Sequence, residues 1–122
     1  MEPLDKFGKF AIEIMRDRSL EYVELMFEGH WKAPAIQALQ NKVSNFSSDQ
    51  KATVRELVAD VLDKAMHDLL FAIQESHDFD KGIEIVVDGE PIAKLTDGLH
   101  WEIFGEEGWI DRYSKFPTTP GH

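Results

Sequence analysis

The 122-residue chain has no cysteine, which excludes disulfides, thiolate catalysis and cysteine-ligated metals. It also lacks any run of about 18 apolar residues, so no segment is expected to cross a membrane as a helix. Its first ten residues, MEPLDKFGKF, mix charges from the start and have no apolar signal-peptide centre; the cytoplasm is therefore the expected location. Basic residues are scarce: 13 Lys and Arg stand against 23 Asp and Glu, for a net charge of −10. With no cluster of Lys or Arg, the chain is expected to bind neither nucleic acid nor an anionic membrane. Phosphate-cradling glycine loops, the helical HExxH zinc motif, an EF-hand loop and the GxSxG elbow are all missing. Accordingly no cofactor and no metal site is expected, and the reading leans away from an enzyme.

What is present fits one globular domain over residues 1–122, since 43% of them are hydrophobic. The acidity is uneven. Residues 1–48 carry 7 acids and 6 bases, residues 49–82 carry 8 and 4, and residues 83–122 carry 8 and 3.

The longest helical pattern is SDQKATVRELVADVLDKAMHDLLFAIQESHD, from Ser48 to Asp78. Ser47 and Gln50 have the spacing of a capping box, and Asp49 suits the positive end of a helix. At about 100° per residue, Val58, Ala65, Leu69 and Ser76 lie opposite His67, flanked by Val54, Val61, Leu62, Ala72 and Ile73. That broad arc is the expected core face, with His67 at the centre of a polar face and Phe71 an exception on it.

A first helix is expected over Leu4–Glu28, between Pro3 and Gly29. Leu4, Phe7, Ala11, Ile14, Met15, Tyr22, Leu25 and Met26 form its apolar side. Gly8 weakens it by about 1 kcal/mol relative to Ala. Arg18 falls on that apolar side, where it must find a carboxylate or carbonyl, or anchor an anionic ligand. A shorter second helix, Ala35–Phe46, has one apolar stripe of Ile36, Leu39, Val43 and Phe46.

The remainder changes character after Gly82. Ile83–Asp88 has strand composition, and Asp88-Gly89 is a hairpin signal. A two-residue turn pairs Ile85 with Ile92. A three-residue loop pairs Val86 with Ile92 and matches polarity better across the ladder, which favours it. Leu99–Phe104 reads as a short helix capped by Thr96, and Gly108–Ser114 as a third strand, with a short helix as the alternative. The expected fold is therefore α+β: a three-helix layer followed by a C-terminal β-hairpin with a third antiparallel strand. The tail from Pro117 to His122 is polar and expected to be loose.

Two constellations bear on function. Asp63 and His67 are spaced to meet on one helix face, where Asp63 can orient His67 as a general base, with Arg18 as an accessory cation. His67-Asp68 and His77-Asp78 repeat a dipeptide, but ten helical residues separate their rings by roughly 15 Å, too far to share a metal. The other constellation is aromatic: Trp101, Phe104, Trp109, Tyr113 and Phe116, interleaved with Glu102, Glu106, Glu107 and Asp111. Aromatic anchors with an acidic rim describe a surface for a basic protein partner, and equally an aromatic core layer. The function favoured on these grounds is a non-enzymatic acidic protein-interaction module, regulatory or immunity-like. Its partner would be another protein or a second copy of the chain. The alternative is a small enzyme or ligand-binding protein using Asp63, His67 and Arg18.

The segments HWKAPAIQALQ, HDLLFAIQESHD and VVDGEPIAKLTDGLH together resemble a group of small bacterial single-domain proteins of unknown function. That resemblance implies a bacterial cytoplasmic domain and brings no activity or site residue with it.

Overall fold

The computed structural model describes residues 1–116; the expectation of a loose tail, 117–122, lies outside the described residues. α1 (Pro3–Ala11) runs through a π-helical stretch (Ile12–Asp17) into α2 (Arg18–Phe27). The chain turns at Gly29, whose φ of 70° suits a residue without Cβ. There the His30 N–H reaches back to the Leu25 carbonyl. α3 (Pro34–Ser44) packs on α2, and α4 (Ser48–Asp78) crosses the molecule. A two-stranded antiparallel hairpin follows, β1 (Val86–Val87) and β2 (Glu90–Pro91), then 3-10 turns at Ile92–Leu95 and Leu99–Trp101, and α5 (Trp109–Tyr113).

The fold is α+β, but strongly helical. The expected third strand is the helix α5, so 108–114 took the alternative. The three helices do not lie as one layer under a sheet. α4 packs instead against α2, the π segment and the two 3-10 turns, Ile92–Leu95 and Leu99–Trp101. The hairpin corrects the preferred register: Val86 pairs with Pro91 and Val87 with Glu90, and the Ile92 N–H bonds the Ile85 carbonyl. Asp88 and Gly89 both adopt positive φ, 52° and 82°. A two-residue turn of this hand matches the strand twist, and that geometry outweighed cross-strand polarity.

The α4 cap forms as the sequence requires, with Gln50 N–H donating to Ser47 Oγ and Ser47 N–H to Gln50 Oε1. Its core face is rotated from the expected one. Ala59, Asp63, Met66, Leu70, Ile73 and Gln74 are buried, while Val61 and Leu69 remain 56% and 55% exposed. Because the apolar arc of α4 is broader than the face that is buried, counting hydrophobic residues cannot select that face. Buried polar residues on α4 do select it, since each needs a partner. Asp63 meets Arg16, and Gln74 donates to the Ala93 carbonyl while accepting from the Leu99 N–H. Ile12, Met66, Leu70, Ile92, Leu99, Ile103, Trp109 and Ile110 complete the core around these points.

The first helix is corrected in a similar way. A π-helical stretch inserts about one residue into the 3.6-residue period and advances the inward face by roughly 100°. Before it, Gly8 and Ala11 face inward, as does Ile12 at its start; after it, Leu20, Met26 and Phe27 do. Ile14 and Tyr22, expected inside, are exposed. In α3, Leu39 is exposed and Gln40 is buried, because the Gln40 amide bonds both the N–H and the carbonyl of Trp31.

Candidate functional site

The inward turn of the π segment buries Arg16 rather than Arg18. Arg16 is 1% exposed, whereas Arg18 lies in solvent. Arg16 Nε donates to Asp63 Oδ1 at 2.7 Å; its Nη1 reaches Ser114 Oγ at 2.8 Å and the Phe116 carbonyl at 2.7 Å. Asp17, also buried, accepts from Ser114 Oγ at 2.6 Å and from the Lys115 N–H at 2.9 Å. These bonds tie the segment after α5 onto the π segment, and the π segment onto α4. Their partners are a core carboxylate and the chain after α5, so this network is read as a structural clasp.

The Asp63–His67 pair proposed from helical spacing does not form. Asp63 points into the core, and His67 Nδ1 lies 3.1 Å from Asp68 instead. Asp68 also pairs with Lys64 at 2.6 Å, and that bond is the main reason its carboxyl sits below the usual range. His77 meets Glu84 at 2.7 Å, far along the helix. Arg18 lines a shallow depression with Glu13, Asp17, Glu21 and Lys115, where three carboxylates make poor company for an anion. Among the described residues, no three His, Asp or Glu side chains converge on a point fit for a metal ion.

The predicted C-terminal aromatic set is divided. Trp109 is fully buried, edge-on to Phe7 at 5.9 Å. Tyr113 is half-buried beneath the Arg112 guanidinium. Glu106 and Glu107 are exposed in the turn before α5. Trp101, by contrast, is 72% exposed. It belongs to a ring cluster that α4 and the Leu99–Trp101 turn assemble together. His100 lies 4.8 Å from Trp101, 4.9 Å from Phe71 and 5.3 Å from His67. Phe71 stacks on His67 at 6.2 Å, and Phe104 approaches His67 at 6.3 Å. Phe71 is itself 46% exposed. Asp68 and Glu102 adjoin the cluster. His100 was not singled out from sequence; its only signal was its place beside Trp101 in a predicted turn.

His100 is 7% exposed and its Nδ1 has no hydrogen-bond partner among the described residues. Burial, and next the nearby charge of His67, push its pKa below the ordinary 6.5. The unfolded chain therefore binds the extra proton first on acidification. His100 contributes stability above about pH 6.5 that is lost as pH falls toward its folded value. We expect the urea midpoint to drop as pH falls below about 6.5, and His100→Phe to flatten that dependence. An unchanged slope in the variant contradicts the assignment.

Comparisons with protein-family models, curated protein sequences and solved structures give no match for this chain. Among the described residues no helix is long and apolar enough to cross a membrane.

Proposed function

We propose that the chain is an acidic, non-enzymatic protein-interaction module of the cytoplasm that docks a basic partner through Trp101, Phe71 and Phe104. The observation that carries this is the exposure of Trp101 on a bed of rings fixed by α4. An indole held in solvent by its neighbours offers a large rigid contact at low entropic cost, the usual make-up of an interface anchor. His100 beside it, at 4.8 Å, and the close approach of the indole to Gly98 restrict its rotamers. The adjoining carboxylates of Asp68 and Glu102, in a chain of net charge −10, favour a partner surface rich in Lys or Arg. Regulatory and immunity-like proteins that neutralise a basic target fit this description. The enzymatic alternative loses its support with the separation of Asp63, His67 and Arg18.

Affinity capture with the wild-type chain and with Trp101→Ala tests the reading. Basic proteins retained by the wild type are expected to bind the variant at least about thirtyfold more weakly, equivalent to about 2 kcal/mol. Arg18→Ala, on a different face, should bind as the wild type does. If Trp101→Ala and the wild type retain the same proteins equally, the Trp101 surface is not the docking site.

A further inference from the structure

Trp101 stands on a residue that has no side chain. Gly98 precedes the Leu99–Trp101 turn with φ −167° and ψ 107°, an extended conformation open to any residue. Its N–H donates to Thr96 Oγ1, and its carbonyl accepts from the Trp101 N–H. The backbone therefore does not call for glycine here; space does. A Cβ on Gly98 would lie 2.6 Å from Cδ1 and 3.3 Å from Nε1 of Trp101, and 3.1 Å from Cε1 of His100. The five-membered ring of the indole thus rests against bare backbone, with His100 beside it at 4.8 Å. The six-membered ring points away from Gly98. In a residue 72% exposed, it is the part that meets solvent.

The surroundings favour a cation on that ring. Between Lys94 and Arg112 the chain holds Asp97, Glu102, Glu106, Glu107 and Asp111, and no Lys or Arg. Among the described residues none of these five carboxylates sits in an ion pair; Glu102 accepts from the Thr96 hydroxyl and Asp111 from the Glu107 N–H, both neutral donors. Arg112, whose charge is felt at Glu102, is itself bonded to Asp5. His100 adds little positive charge at pH 7, because burial holds its pKa below 6.5. An indole face is the best aromatic seat for a cation. At so exposed a site, hydration decides which cation is favoured. A guanidinium is more weakly hydrated than an ammonium and stacks flat on an aromatic ring.

We infer that Gly98 is the positioning residue of the Trp101 surface, and that the indole it seats receives an arginine side chain of the partner on its six-membered ring. This inference rests on the docking role proposed for Trp101.

The Trp101 indole N–H resonance, assigned by its loss in Trp101→Phe, reports on the seat. A hexa-arginine peptide is expected to shift it saturably, a hexalysine peptide to bind more weakly, and a hexacitrulline peptide to leave it unmoved. The buried indole N–H groups of Trp31 and Trp109 serve as internal controls. Gly98→Ala should keep the circular dichroism spectrum and the urea midpoint, since the exposed indole rather than the core gives way. It should weaken hexa-arginine binding at this resonance about threefold or more, the scale of an exposed cation–π contact. In the Trp101→Ala background it should cause no further loss. An equal shift with hexacitrulline overturns the cation seat, and equally tight hexalysine overturns the assignment of arginine. Capture of basic proteins that falls in Trp101→Ala but not in Gly98→Ala overturns the positioning role and leaves the docking surface standing. Capture unchanged in both variants overturns the two together.

Discussion

Replacing Arg16 by Met is expected to destabilise the fold by about 3–5 kcal/mol, the range for removing one partner of a buried ion pair. The cost comes less from the lost attraction than from what remains. Asp63 is buried and has Arg16 as its ion-pair partner, and among the described residues its second carboxylate oxygen already has no hydrogen-bond partner. Without the guanidinium, an uncompensated carboxylate stays in the core. The same substitution removes the donors to Ser114 Oγ and the Phe116 carbonyl, so the segment after α5 should detach as well. Typical domain stabilities are about 5–15 kcal/mol, which makes this a large share of the total. Arg16→Lys should rescue poorly, because one ammonium cannot serve the separate acceptors reached by Nε and Nη1. Asp63→Leu combined with Arg16→Met should recover most of the loss, since replacing both members of a buried pair with apolar groups is often close to neutral. Urea unfolding of the two single variants and the double variant measures the coupling. A cost below about 1 kcal/mol for Arg16→Met alone contradicts the buried-pair reading.

The same pair shows where sequence reasoning reaches and where it stops. Element boundaries followed from local chemistry. Pro3, Gly29, Pro34 and the Ser47–Gln50 box mark helix ends through the dihedral and hydrogen-bonding needs of a few neighbouring residues. Asp88-Gly89 marks the hairpin in the same way. Facing is a non-local property, and there the reading failed twice. Periodicity assumes an unbroken 3.6-residue period, and nothing in IEIMRD announces a π-helical stretch. Unbroken periodicity therefore puts Arg18 inside and leaves Arg16 out. On α4, the apolar arc is broader than the buried face, so the inward face is set by Asp63 and Gln74. Those are polar residues whose partners lie in distant segments and are invisible to a helical wheel. The candidate site shared this fate. Trp101 and Phe104 were visible as aromatics, but the ring cluster needs His67 and Phe71 from α4, brought there by the facing that sequence did not resolve.

Gly8→Ala should destabilise the protein, against the sign that helix propensity alone assigns. In a solvated helix the change favours folding by up to about 1 kcal/mol. Gly8 is buried in α1, however, and a Cβ built there overlaps the five-membered edge of the Trp109 indole. The ring has little freedom to yield. It is fully buried, meets Phe7 edge-on, and sits in the core cluster with Ile12, Ile103 and Ile110. Arg112, one turn along from Trp109 on α5, bonds Asp5 of α1 at 2.9 Å and holds that carboxyl below its usual range. α1 and α5 are therefore pinned together around the point of overlap. Overpacking of this kind costs about 1–3 kcal/mol, which exceeds the propensity gain. Trp109→Phe should destabilise on its own by opening a cavity. In the Gly8→Ala background its effect should be smaller, because the methyl occupies part of the space the indole vacates. A double-mutant cycle by urea unfolding then yields a favourable coupling between two residues about a hundred positions apart. If Gly8→Ala proves stabilising, or if the two effects simply add, the close approach of α1 to Trp109 is wrong. Gly8 reads in the sequence as a weak point in the first helix; it is where that helix admits the largest side chain of the core.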